Sequence, residues 1–265
     1  MLKITTHTLV KNEENFLWYS LMSVRKLASE MLVFDDNSTD KTAEILRSIS
    51  DPKLKVPTGE LTTASNIRNE MVKETKTDWF LNLDGDEIWN EKTLERLLAF
   101  LENCPKDVWG VVMRTRNCVG DVYHYQPESA GNYSLLGRKG NLNIRAFRKL
   151  PNLKWCWDYP RETYCDLSEV PINTQDSHLR FFDDYYWHMT FLPRTSSRAA
   201  RKYRQITKVE KGIEVISESE LPEVFTLERP LFVPDPLVHR STGYELKASV
   251  LTPLKNIKRT LTSSS

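Results

Sequence analysis

Two apolar runs, Met31 to Phe34 and Trp79 to Leu83, each stop at a cluster of acids. The first runs into Asp35-Asp36-Asn37-Ser38-Thr39-Asp40, the second into Asp84-Gly85-Asp86-Glu87. Short apolar runs bounded in this way read as strands buried on both faces. A third strand precedes them at Lys3 to Val10, KITTHTLV, rich in β-branched residues. Helical patterns fill the gaps. Asn12 is placed to cap a helix from Glu13 to about Leu27, whose Phe16, Leu17, Leu21, Val24 and Leu27 fall at helical spacing. Ser38 or Thr39 is placed to cap a second helix reaching about Ile49. Leu61 to Glu74 and Glu91 to Leu101 read as two more. Strand and helix thus alternate, which predicts an α/β fold: a mainly parallel, Rossmann-like sheet flanked by helices. Open sheets of this kind bind ligands just beyond the carboxyl ends of their strands, where both acid clusters lie.

The pattern changes from Val108. Val108 to Arg116, Asp121 to Tyr125 and Asn143 to Arg148 read as strands joined by longer loops, giving an α+β portion. Pro193 to Gly212 reads as a basic helical stretch. Beyond Ile216 the prolines at 222, 230, 234, 236 and 253 predict an irregular extension with a disordered end at Ser263-Ser264-Ser265. The expected organisation is one domain over 1–212, divided into 1–103 and 104–212, followed by an extension over 213–265.

Lys and Arg number 37 against 36 Asp and Glu, so no global field favours nucleic acid as a partner. No apolar run is long enough to span a bilayer, and the N-terminus lacks a signal-peptide pattern. Cys104, Cys118, Cys156 and Cys165 show no metal-binding spacing and read as reduced thiols of a cytoplasmic protein. With only 9 glycines and neither GxGxxG nor GxxxxGK[ST], the chain has no glycine-rich phosphate cradle.

Three carboxylates within Asp84-Gly85-Asp86-Glu87 repel one another unless a cation sits among them. Hard oxygen ligands suit Mg or Mn, which also takes phosphate oxygens. The plainer reading is a turn with helix-start acids. In the second cluster, capping accounts for Ser38 and Thr39 but not for two acids directly after a buried strand. A carboxylate there can accept the N3–H of a uracil ring.

Taken together, TLVKNEENF at 8–16, VFDDNSTDKT at 33–42, ASNIRNEM at 64–71 and WFLNLDGDE at 79–87 resemble family 2 glycosyltransferases in order, spacing and strand context. More loosely, Asn143 to Arg148, Trp155, Arg161-Glu162 and Tyr186-Trp187-His188 followed by basic residues resemble later segments of that family, so the likeness covers about residues 1–210.

The resemblance implies a GT-A fold and an inverting transfer of a sugar from a nucleotide-sugar donor, UDP by family tendency. The acceptor would be a carbohydrate, lipid or protein hydroxyl. It implies that Val10 and Glu13 line the nucleoside pocket, that Asp36 binds the base with Asp35 in support, and that Arg68 lies near the base or the diphosphate. Asp84 and Asp86 would form the DXD motif: Asp86 reaches a divalent cation, Mn or Mg, and Asp84 the ribose or the cation. His188 would be a third metal ligand; its plainer reading is a packed histidine among Tyr185, Tyr186, Trp187 and Phe191. Glu162 would be the catalytic base, with Asp158 as fallback. Arg161 stands where many relatives carry His, and a cation there would keep Glu162 ionised. The plainer reading of Glu162 is an ion pair.

Arg194, Arg198, Arg201, Lys202, Arg204, Lys208 and Lys211 read as a solvated helix face, some of them open to a diphosphate, an anionic acceptor or a membrane periphery. Trp155, Trp157, Tyr159 and Tyr164 read either as a sugar-stacking wall or as core. Two rivals stand beside the transferase. A sugar nucleotidyltransferase would carry a glycine-rich basic loop after the first strand, where this chain has VKNEE. A non-catalytic nucleotide- or carbohydrate-binding module would not need intact acids at 35–36, 84–87 and 162.

Overall fold

The computed structural model describes residues 2–57, 63–158, 161–193 and 208–263. The first half runs β1 (Ile4–Val10), α1 (Leu17–Val24), β2 (Ala28–Asp35), α2 (Thr42–Ser48), β3 (Leu54–Lys55), α3 (Ala64–Glu74), β4 (Trp79–Asn82), β5 (Glu87–Ile88) and α4 (Glu91–Glu102). The second half is mostly strand: β6 (Gly110–Val119), β7 (Asp121–Tyr125), β8 (Tyr133–Leu135), β9 (Arg138–Gly140), β10 (Leu142–Arg148), β11 (Leu153–Cys156), β12 (Thr163–Asp166), β13 (Leu179–His188) and β14 (Ile213–Glu214). A helix, α5 (Thr242–Ser263), closes the described chain.

Among the described residues the main sheet has ten strands, in the order β14-β7-β6-β10-β4-β1-β2-β3, with β13 beside β6 and β5 beside β13. In the half that alternates with helices, β1 pairs parallel with β2 and β4, and β2 with β3, while the short β5 runs antiparallel to β13. β10 then runs antiparallel to both β4 and β6. Strand β1 lies between strands reached by crossovers in opposite directions, so a crevice opens beyond Val10, Asp35 and Asn82. The α/β reading therefore stands, with the second half mixed rather than parallel.

Several local expectations do not hold. Asn12 is not a helix cap: it sits in the left-handed region at φ 55°, and α1 begins later, at Leu17. Neither Ser38 nor Thr39 caps α2, which starts at Thr42. The parallel register sets Val10 beside Asp35 and brings the two following loops together, so these polar groups bond across rather than along the chain. Asn12 N–H donates to Ser38 Oγ at 2.9 Å, Thr39 N–H to Asn12 Oδ1 at 2.7 Å, and Glu13 N–H to Thr42 Oγ1 at 2.8 Å.

The tail is also more ordered than expected. Residues Leu221, Val224, Phe225 and Val233 belong to the same apolar core as β1 and α1. Despite Pro253, Thr242–Ser263 is one helix. Its inner side is tied down where Lys211 N–H donates to Thr252 Oγ1 and Lys255 Nζ to the Val209 carbonyl, both at 2.8 Å, contacts that offset the missing proline N–H. Tyr159, residues 194–207 and the last two serines lie outside the described residues, as does most of the expected basic helix. All four cysteines are free thiols. Among the described residues no helix is long and apolar enough to cross a membrane.

One buried group makes folding sensitive to acid. His7 on β1 is enclosed, stacked on Phe80 with ring centroids 4.4 Å apart, and its Nε2 lies 2.6 Å from Thr75 Oγ1. Burial, with Arg68 and Lys149 nearby, lowers its pKa from 6.5 to about 3. The unfolded chain then binds more protons than the folded one below pH 6.5. The stability held by neutral His7 is full above that pH and drains away as pH falls toward 3. The expected loss from this group between about pH 7 and about pH 5 is about 2 kcal/mol. Urea unfolding of wild type and His7→Leu at the two pH values measures it. Equal pH dependence in both proteins would remove His7 as the cause.

Candidate active site

The turn after β4 is bonded in both directions. Glu87 N–H donates to the Asp84 carbonyl at 3.0 Å, and Asp84 N–H donates to Glu87 Oε2 at 3.2 Å. Gly85 is required by close approach: a Cβ there would lie 2.9 Å from Glu13 Cγ and 3.2 Å from Val10 Cγ2. The turn thus leans on the loop that follows β1. Strand β13 reaches it from the other side, pairing His188 with Glu87 and Trp187 with Ile88. Met189 N–H donates to the Asp86 carbonyl at 2.9 Å, and His188 Nε2 sits 3.2 Å from Asp86 Oδ2.

The cation that this acid cluster needs is supplied by the chain itself. Arg145, buried on β10, donates from Nη2 to Asp84 Oδ2 at 3.0 Å and to Glu87 Oε1, and from Nε to the Tyr186 hydroxyl at 3.0 Å. Arg68 on α3 adds a second guanidinium. It is bonded to Asn82 Oδ1, lies 3.8 Å from Asp84 Oδ1, and stacks 4.8 Å from the Trp155 ring. Burial alone would raise the Asp84 pKa, but Arg145 and Arg68 outweigh it and hold that carboxyl below its usual range. Glu87 goes the other way: enclosed completely, it is pushed up to about 8 by burial against the pull of Arg145. Burial also opposes a charged His188, and Asp86 beside it overcomes that, holding the imidazole above its ordinary value.

Arg68, Asn82, Asp84, Arg145, Trp155 and Glu162 share one cleft of about 290 Å³. Glu162 precedes β12, and the Arg68 guanidinium feels its charge. Arg161, the expected neighbouring cation, is exposed. Asp158 is also exposed and accepts a hydrogen bond from Ser65 Oγ at 3.1 Å, apart from the residues that line this cleft. Of the aromatics, Trp155 and Tyr164 are core residues that also wall the cleft, whereas Trp157 is exposed. A second cavity of about 270 Å³ holds His188 and Lys208 and shares Tyr133, Leu142 and Asn143 with the first.

The base-side residues stand at the end of β2. Asp35 Oδ1 accepts from the Ser38 backbone N–H at 3.1 Å and from its hydroxyl, so Asp35 shapes the loop. Asp36 faces solvent more openly, 3.1 Å from Lys11 Nζ, while its own N–H donates to the Val10 carbonyl at 2.8 Å.

Among the described residues no three His, Cys, Asp or Glu side chains converge as a ready-made metal site. Asp86 and His188 are adjacent, and Asp84 is engaged by Arg145. This donor set fits a Mg or Mn ion that takes its remaining ligands from phosphate oxygens and water, the usual arrangement when few carboxylates are offered.

The fold and this acidic turn define a nucleotide-sugar transferase scaffold of the GT-A class. The chain belongs to glycosyl transferase family 2, whose sequence model matches residues 7–159. It is 28% identical over 148 residues to poly(ribitol-phosphate) beta-N-acetylglucosaminyltransferase TarS of Staphylococcus aureus, a match covering 52% of this chain and 26% of that one. It is 32% identical over 94 residues to the UDP-Glc:alpha-D-GlcNAc-diphosphoundecaprenol beta-1,3-glucosyltransferase WfgD of Escherichia coli, covering 34% and 37%. The chain thus spans well under half the length of these relatives. Glucosyl-3-phosphoglycerate synthase of Mycobacterium tuberculosis, solved with Mn2+, UDP-glucose and phosphoglyceric acid, shares the fold with a TM-score of 0.50 at 16% identity, over 78% of this chain and 77% of that one.

Arg145 is the residue whose role a reading of motifs misses. Its signal was nonetheless present: an arginine inside an apolar strand, Ile144-Arg145-Ala146-Phe147, must meet a carboxylate.

Proposed function

We propose that this chain transfers a sugar from a UDP-sugar to an acceptor hydroxyl, with inversion at the anomeric carbon and help from Mn or Mg. Residues 1–103 hold the donor, and 104–212 face a carbohydrate, lipid or protein acceptor in the cytoplasm or at a membrane periphery. The observation that carries this reading is the meeting of the Asp84 turn, its two arginines and Glu162 in one cleft. Asp36 accepts from the base, Asp35 holds the loop, and Val10 and Glu13 wall the nucleoside. Asp86 and His188, with Asp84 beside them, would hold the cation. When bound, the cation neutralises charge on the departing nucleoside diphosphate. Arg68 adds fixed positive charge at the same place. Glu162 takes the proton of the acceptor hydroxyl as that oxygen attacks the anomeric carbon.

Calorimetric titration of UDP and GDP, with Mn2+ and then with EDTA, tests the donor site. UDP binding that requires the metal is expected; no binding of either nucleotide under any condition would sink the reading. Glu162→Gln is expected to lower kcat by about 10²- to 10⁴-fold with UDP affinity unchanged. Full turnover in that variant would return the base role to another group.

A further inference from the structure

We propose that the outer face of α5 lies in the plane of an anionic lipid surface. Leu246, Val250, Leu254, Ile257 and Leu261 are each between 59% and 71% exposed. At about 100° per residue they fall within an arc of about 80° on the helix. The opposite side is the one that packs: Ala248 is fully buried, and Thr252, Lys255 and Arg259 bond to residues 209–211. The helix is therefore apolar outward and polar inward, the reverse of a surface helix that serves only its own core.

The charges select the occupant. Lys247 and Lys258 border one edge of the apolar arc, and both are exposed. Acids near the helix are already neutralised: Glu245 accepts from Arg240 Nε and Glu210 Oε2 from Arg259 Nη2, each at 2.7 Å. The segment strapped to the inner side carries Lys208 and Lys211 beside Glu210. An apolar helical face edged by exposed lysines supplies the two signals, apolar area and positive charge, that stable binding to an anionic bilayer needs. A second copy of the chain fits less well. Pro253 is exposed at the other edge of the arc, and no acid of this helix flanks the arc to pair with Lys258 across a helix seam. The surface does not depend on the transfer chemistry.

The test is co-sedimentation of the full chain with phosphatidylglycerol/phosphatidylcholine vesicles and with phosphatidylcholine vesicles alone. Binding is expected only to the anionic vesicles, weakened by added salt. Val250→Glu/Leu254→Glu should lose at least about tenfold in partitioning, and Lys247→Glu at least about fivefold. Circular dichroism on the same samples checks that these outward-facing variants remain folded. Equal partitioning of wild type and folded variants, or no binding of wild type, would overturn the proposal. So would a wild-type dimer in analytical ultracentrifugation that Val250→Glu/Leu254→Glu dissolves, because it would give the face to a second copy.

Discussion

Arg145→Met is expected to cost about 3–5 kcal/mol of stability, the usual penalty for removing one member of a buried ion pair. Glu87 is completely enclosed and Asp84 partly so, and both rest on this guanidinium. Methionine fills similar space but leaves Glu87 to be buried as an unpaired charge or protonated. The Tyr186 hydroxyl also loses the donor on its Arg145 side, keeping only Asn143 Nδ2 at 3.2 Å. Lysine is a poor substitute, since a single ammonium cannot bridge two carboxylates and a hydroxyl in one plane. Urea unfolding of wild type, Arg145→Met and Arg145→Met/Glu87→Gln separates the causes. The double variant should recover part of the loss at a pH above about 8, where Glu87 would otherwise be driven toward a stranded charge, and little below it. An Arg145→Met protein as stable as wild type would show that the turn does not depend on this pairing.

Asp86→Ala carries the second large effect, a fall in kcat/KM of about a thousandfold in a UDP-sugar transfer assay. The backbone contact that holds the turn, Met189 N–H to the Asp86 carbonyl, survives the substitution, so the fold should too. His188 would remain without the carboxylate 3.2 Å away that it shares the site with. Metal-dependent binding of UDP should disappear together with turnover, and added Mn2+ should restore little. Wild-type activity insensitive to EDTA, or an Asp86→Ala enzyme near wild-type rates, would remove the cation from the reaction.

Much of the first half was legible because its physics is local. A strand buried on both faces must be a short apolar run, and acids placed after such a run fall at the end of the sheet where ligands bind. Strand β4 and the Asp84 turn, helix α4 and the parallel order of β1, β2 and β4 follow from that pattern. The failures are as specific. The caps at Asn12 and Ser38 were misread because their partners lie across two loops that only the β1–β2 register brings together. Strand β13 carries polar and aromatic residues without clean alternation, since it pairs with β6 on one side and with β5 at its end. Helix α5 was hidden by Pro253, whose cost is offset by contacts from residues 209–211.

By itself, then, the sequence determined an α/β chain with acids at two strand ends and the family to which those motifs belong. What only the tertiary structure decided is how those acids are made tolerable. Repulsion among Asp84, Asp86 and Glu87 demands positive charge, but like charges in sequence cannot say where it comes from. The fold brings Arg145 from β10, Arg68 from α3 and His188 from β13, each distant along the chain, because sheet pairing and helix packing set neighbours in space by register rather than by order.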